Sequence, residues 1–213
     1  MSNIDKISLL VCLLVGTVLS TTYYNNETEH FKSYVELSSV VSTDFECSLS
    51  SFGNILTIDR SSIFTDKQHD DIDKAHCLWE TVLVGRIPQG HPGLNINFTL
   101  ANIDGVGKIL GSAGWTLAGI YNVAGKDYIM PFKGAMRLDT ADVDVLSQTD
   151  AFFYVVVHEI GHILGVGSIW NYNNVYVHNS GQYTGQMGVE SYKQLFNDSS
   201  TNCSRLYEHL QSI

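Results

Sequence analysis

The chain has 213 residues, 44% of them hydrophobic and 16% charged, with 18 Gly, 3 Pro and a formal net charge of -10. That balance excludes a disordered, collagen-like or low-complexity chain, each of which needs fewer apolar residues or far more Gly and Pro. The acidic excess, with no basic stripe, argues against nucleic acid as a partner, and the length suits one domain with at most a small appendage.

Residues 1–20 read as a secretory signal peptide. Lys6 closes a short polar start, residues 7–19 are an apolar stretch, and Val18 and Ser20 suit cleavage near Ser20. An uncleaved anchor is the alternative, but the stretch falls short of the roughly 20 residues that span a bilayer. Four N-x-Ser/Thr sequons, at Asn26, Asn97, Asn197 and Asn202, fit passage through a eukaryotic secretory pathway. With Cys12 removed in the leader, Cys47, Cys77 and Cys203 remain. That is an odd number for an oxidising compartment, so one pair is expected and one thiol is left over.

Residues 21–60 are expected to be a polar lead-in with one strand, or a propeptide; in the latter case Cys47 is a candidate to hold a metal site shut as thiolate. Thr65-Asp66-Lys67-Gln68 spells a capping box, and Ile72, Ala75, His76, Trp79, Val82 and Leu83 follow at helical spacing. The predicted helix runs to about Val84 and stops at Gly85. His69 and His76 on it read as surface or half-buried residues, because nothing around either spells a ligand set. Leu94-Asn95-Ile96-Asn97-Phe98-Thr99-Leu100 alternates with period two and predicts a half-buried strand.

Residues 104–114 hold four glycines but lack the context and the Gly-Lys-Ser/Thr ending of a phosphate loop, so a flexible surface loop is expected. Residues 115–121 and 128–138 read as strands, and Asp139-Thr140-Ala141-Asp142 as a turn with capping residues. Asp150 is a candidate helix cap. Residues 151–157 are apolar all round, and the pattern continues through Ile160, Ile163 and Leu164 to Gly165. That length favours a buried helix over a strand.

This helix carries His158-Glu159-Ile160-Gly161-His162. Histidines four apart project from one helix face, one turn apart, and so can bind one Zn²⁺ at about 2.0–2.1 Å each. Glu159 is the candidate general base, taking a proton from metal-activated water and passing it to the leaving amine. Arrays of this kind arise by chance in about one chain in a hundred of this composition. Three ionisable residues in the most apolar helix, without a metal or partners, would cost several kcal/mol to bury.

The segment from His158 to Gly165 resembles the active-site helix of the leishmanolysin-like metzincin proteases. The resemblance extends to residues 64–79, to residues 129–142 with Met136-Arg137-Leu138-Asp139, to Val166-Gly167-Ser168-Ile169-Trp170, and to Tyr192-Lys193-Gln194-Leu195-Phe196, roughly residues 60–197 in all. It implies an α+β, metzincin-like zincin domain over residues 61–213. Such a domain has a twisted mixed sheet, a backing helix, and an active-site helix ending at Gly165, where the chain turns toward a lower subdomain. It further implies a zinc endopeptidase acting on protein or peptide substrates, with His158 and His162 as ligands and Glu159 as base.

Two departures stand out. Ser168 occupies the place where most metzincins carry their third histidine; the leishmanolysin-like enzymes insert a long segment there instead, which Ser168 fits. Only His178 and His209 follow His162. His178 is too close, and the setting of His209 (Tyr207-Glu208-His209-Leu210) does not match the family's third-ligand motif. Met187 precedes His209 and makes no methionine turn. The expected explanation is truncation, with the missing ligand and thiol partner beyond Ile213. Residues 210–213 offer no tail for a lipid anchor, so a secreted protein with no stable membrane span is expected. Two other readings stay open: a non-catalytic secreted domain of the same fold that binds protein or glycan, and a thermolysin-type enzyme with Glu190 as third ligand.

Overall fold

The computed structural model describes residues 55–60, 63–178, 180, 182–186 and 188–190. The expected leader, the residues of the lead-in before 55, Cys47, Cys203, residues 192–196, Met187 and His209 lie outside them, as do Asn26, Asn197 and Asn202. The chain divides into two units, residues 44–168 and residues 1–43 with 169–213.

The first unit is α+β, built on a four-stranded mixed sheet. In chain order it holds β1 (Leu56–Arg60), α1 (Asp66–Leu83), β2 (Leu94–Ala101), β3 (Gly111–Val123), β4 (Lys126–Asp139), α2 (Val143–Gln148) and α3 (Phe152–Leu164). The sheet order is β1-β2-β4-β3. β1, β2 and β4 run parallel, and β3 is an antiparallel edge joined to β4 by a hairpin. Its two-residue turn places Ala124 and Gly125 at φ 53° and 84°, the double left-handed turn that matches strand twist.

α1 begins as its sequence requires. The Gln68 amide donates to Thr65 Oγ1 at 3.3 Å and the Thr65 amide donates to Gln68 Oε1 at 2.9 Å, so both halves of the capping box form. The helix ends at Leu83 with Val84 as its cap, and Gly85 takes φ 73°. His76 and Glu80, one turn apart on α1, hold the free edge of β1. His76 Nε2 donates to the Leu56 carbonyl at 2.7 Å, and the Leu56 amide donates to Glu80 Oε1 at 2.5 Å. An edge strand left bare invites further pairing; among the described residues a histidine and a glutamate occupy this edge. His76 is half-buried, as expected, and its ring has a structural part. The last five residues of the expected lead-in, 56–60, are β1 itself.

β2 alternates buried and exposed as predicted, with Leu94, Ile96 and Phe98 facing the core. Ile72 and Trp79 from α1, Met136 and Leu138 from β4, and Phe152, Val156, Ile160 and Ile163 from α3 complete that core. α1 and α3 pack on each other, and Trp79 Nε1 donates to the Val157 carbonyl at 3.1 Å.

Three local expectations are corrected. The glycine-rich stretch is only in part a loop, because Gly111–Gly114 open β3. The remainder is pinned rather than free. Asp139 Oδ2 accepts from the amides of Ile103, Asp104 and Gly105, its Oδ1 accepts from Ala141, and Asp142 Oδ1 accepts from Gly107 at 2.8 Å. These amides hold the Asp139 carboxyl below its usual range, that of Ala141 foremost. Second, the turn at 139–142 leads into a short helix, α2. Third, Asp150 does not cap α3. It adopts φ 58°, its carboxylate meets Lys67 Nζ at 2.7 Å, and Ala151 is the N-cap without a side-chain bond.

The second unit holds a two-stranded antiparallel ribbon, β5 (Tyr176–Val177) and β6 (Gln182–Tyr183). The Trp170 and Tyr183 rings meet there at 4.5 Å between centroids. Among the described residues no helix is long and apolar enough to cross a membrane.

Candidate metal centre

α3 carries the candidate site, and two glycines let it lie close on the sheet. A Cβ on Gly134 of β4 would come within 2.1 Å of Ile163 Cγ2. A Cβ on Gly111 of β3 would meet Leu138 Cδ2 at 2.6 Å and Glu159 Oε1 at 3.0 Å. Glu159 thus rests its carboxyl against the first residue of β3. An isolated glycine within a strand pattern signals such an approach; Gly134 carried that signal in the sequence, but nothing local named its partner.

His158 and His162 are half-buried and face each other. Their Nε2 atoms are 2.9 Å apart, with ring centroids at 4.5 Å and planes perpendicular. The turn after the helix fixes one ring. Gly165 takes φ 105°, and the amides of Gly165 and Val166 donate back to His162 O and Gly161 O at 3.2 and 2.9 Å, a Schellman closure. The chain so folded brings the Val166 carbonyl to 3.1 Å from His162 Nδ1. A carbonyl only accepts, so Nδ1 carries the hydrogen and Nε2 of neutral His162 presents its lone pair to His158. Ser168 Oγ donates to the His162 carbonyl at 2.7 Å and ties the turn to the helix end. Sequence reasoning missed this turn as a part of the site.

Burial governs the charges. It pushes the His158 imidazole down to about 3, with the neighbouring His162 adding to the effect. It also lowers His162, against the opposing pull of the Val166 carbonyl. Glu159, 2% exposed, is pushed up to about 8 by burial alone. All three groups are therefore held neutral at pH 7 by the protein itself. A divalent cation inverts that preference, since it is the largest local charge wherever it binds.

The half-site fits zinc by its chemistry. Two imidazole nitrogens converge on one point, one of them with its lone pair already set, and tetrahedral ligands at 2.0–2.1 Å stand roughly 3.3 Å apart. Opening the pair from 2.9 Å takes a few tenths of an ångström. Among the described residues no group of three or more His, Cys, Asp or Glu side chains is placed to hold a metal, so His178 and Glu190 complete no such cluster. Glu190 instead accepts from Gln186 Nε2 at 2.9 Å. Cys77 is disulfide-bonded. Compared with known proteins, the chain matches no family model, no curated protein and no solved structure.

Proposed function

We propose that the chain is a secreted, leishmanolysin-like zinc endopeptidase acting on proteins or peptides. The observation that carries this reading is the pair of imidazole nitrogens 2.9 Å apart on a buried helix, one with its tautomer set by the Val166 carbonyl. The surroundings support a metzincin-like zincin fold: a mixed sheet with an antiparallel edge, a helix behind it, and a site helix ending at a left-handed glycine. The disulfide at Cys77 supports an oxidising compartment.

Zinc, when bound, supplies Lewis acidity to a peptide carbonyl and lowers the pKa of water toward neutrality. His158 and His162 would hold it, with the Val166 carbonyl keeping the His162 ring from turning. Glu159 lies next along the helix, about 100° round the axis from His158. Its carboxylate removes a proton from the attacking water and delivers it to the departing amine. The core-facing apolar residues of α3 exclude solvent from the far side of the helix.

The test is metal analysis of the purified chain together with casein cleavage with and without chelator. About one zinc per chain is expected, lost on changing His158 or His162 to Ala. Glu159→Gln should keep the metal and lose cleavage. Absence of stoichiometric zinc ends this reading. The finding of only two ligands among the described residues favours one rival, a non-catalytic secreted domain of the same fold. Chelator-sensitive cleavage by this chain would refute that rival.

A further inference from the structure

Among the described residues, the parallel part of the sheet has one face packed by helices and one face open. Parallel sheets are ordinarily covered on both faces. On the open face β1, β2 and β4 present Thr57, Asp59, Asn95, Thr99, Lys133 and Arg137, all exposed. None of these is a large apolar side chain, so the three parallel strands suit water or a hydrophilic cover here, with Leu117 of β3, opposite Lys133, as the exposed apolar residue at the rim. Asn97 stands at its centre, on the middle strand, with Asp59 beside it on β1 and the small Ala135 beside it on β4.

Asn97-Phe98-Thr99 is a sequon whose geometry suits modification. Residues i and i+2 of a strand share a face, so Asn97 and Thr99 both point outward while Phe98 is fully buried. No side-chain hydrogen bond among the described residues engages Asn97. The Ala135 methyl leaves the ladder position next to it clear.

We propose that Asn97 carries an N-linked oligosaccharide that covers the open face of the sheet. The inference rests on the secretory half of the function proposed above and not on the zinc site. In the transfer, Asn97 Nδ2 forms a bond to C1 of the oligosaccharide of a polyprenyl-pyrophosphate donor. The C1–O bond to pyrophosphate breaks, polyprenyl pyrophosphate leaves with the electron pair, and Nδ2 gives up one proton to the transferase. The glycan then supplies the hydrophilic layer that this face otherwise lacks.

The experiment is site mapping in a eukaryotic secretory host. The full chain is expressed with its own first twenty residues and, separately, with those residues replaced by a leader of proven cleavage. Chain from cells and from medium is treated with peptide-N-glycosidase in heavy-oxygen water and mapped by mass spectrometry. The expected result is labelled aspartate at position 97 in most of the secreted chain. The label should be lost in Thr99→Ala and kept in Thr99→Ser. Glycan on the replaced-leader chain alone upholds Asn97 and overturns the reading of residues 1–20. Asn97 left unmodified in the secreted replaced-leader chain overturns the proposal. So does modified chain found only in cells, because a glycan that the folded sheet could not carry on this face would leave the chain misfolded and retained there.

Discussion

Gly134→Ala tests whether α3 lies on the sheet as closely as the site requires. The added methyl would sit 2.1 Å from Ile163 Cγ2 and 3.1 Å from the Gly114 carbonyl. Ordinary contact begins near 3.4 Å, so helix and strand must part by about 1.3 Å at this point. Rotation of Ile163 gives no relief, because a β-branched side chain in a helix is confined to one χ1 well and this one is fully buried. Overpacking of this kind costs about 2–3 kcal/mol, or roughly 5–10 °C in Tm for a chain of this length. The assay is thermal unfolding of four proteins: wild type, Gly134→Ala, Ile163→Ala and the double variant. Ile163→Ala alone should cost about 2–5 kcal/mol for its cavity. It also removes Cγ2 and leaves only the 3.1 Å contacts to Ile163 Cβ and the Gly114 carbonyl, so Gly134→Ala made on that background should cost clearly less than it does in the wild type. Strict additivity, or a Gly134→Ala melt equal to wild type, refutes the close seating of α3 and with it the placement of Glu159 against Gly111.

Three further outcomes follow from particular contacts. Gly165→Ala opposes the φ of 105° that brings the Val166 carbonyl to His162. It should weaken Zn²⁺ or Co²⁺ affinity about 10- to 100-fold, the usual effect of losing a ligand's outer partner, as read by metal titration. Glu80→Ala strands the buried Leu56 amide and should cost about 1–3 kcal/mol in chemical denaturation, with faster exchange of that amide; Glu80→Gln should cost less because an acceptor remains. His91 is the third case. Its Nε2 donates to the Pro131 carbonyl at 3.0 Å and its Nδ1 accepts from the Gly93 amide at 3.1 Å, so the folded state needs it neutral, and burial lowers it from 6.5. The unfolded chain then binds more protons just below pH 6.5, and stability falls as pH drops through that value toward the folded one. His91→Gln should flatten the decline in Tm between pH 7 and pH 5. The change should stay well under the ~1.4 kcal/mol per pH unit of one whole proton, because the ring is only half-buried.

What could be read in advance follows the range of the forces involved. The capping box at Thr65 and Gln68, the alternation of β2 and the apolar run of α3 are set by residues within one or two turns of each other, and the structure has all three. β1 was not legible as a strand of the sheet. Five residues of LTIDR carry little pattern, and its edge is held by His76 and Glu80 some twenty residues further on. The loop at 103–107 looked free because the carboxylates that pin it, Asp139 and Asp142, are more than thirty residues away. Asp150 had the residue type of a cap but spends its carboxylate on Lys67 across the fold. Within the candidate site, the two histidines and the neighbouring glutamate were visible as spacing on one helix. The turn that orients His162 was not, since a backbone carbonyl has no signature in the sequence.

The arrangement of α3 bears on why these residues share one helix. A helix apolar on most sides gains stability by burial, and local consistency across its length would favour an aliphatic residue at each of 158, 159 and 162. Three ionisable side chains there oppose that gain, and Glu159 does so most, being 2% exposed with its carboxyl pushed up to about 8. An ordinary structural role would compensate such a group with partners, as Asp139 is compensated by four amides. The two buried acids differ in their surroundings: one carboxylate is saturated by backbone donors and holds a loop, the other is bare beside two convergent imidazoles. Replacing Asp139 by Asn should loosen the 103–107 loop, whereas replacing Glu159 by Gln should leave the melting temperature level or raised, because it removes a buried acid that nothing in the described fold hydrogen-bonds. A large drop in stability on Glu159→Gln would show that the glutamate serves the fold, and the case for it as a base would fall.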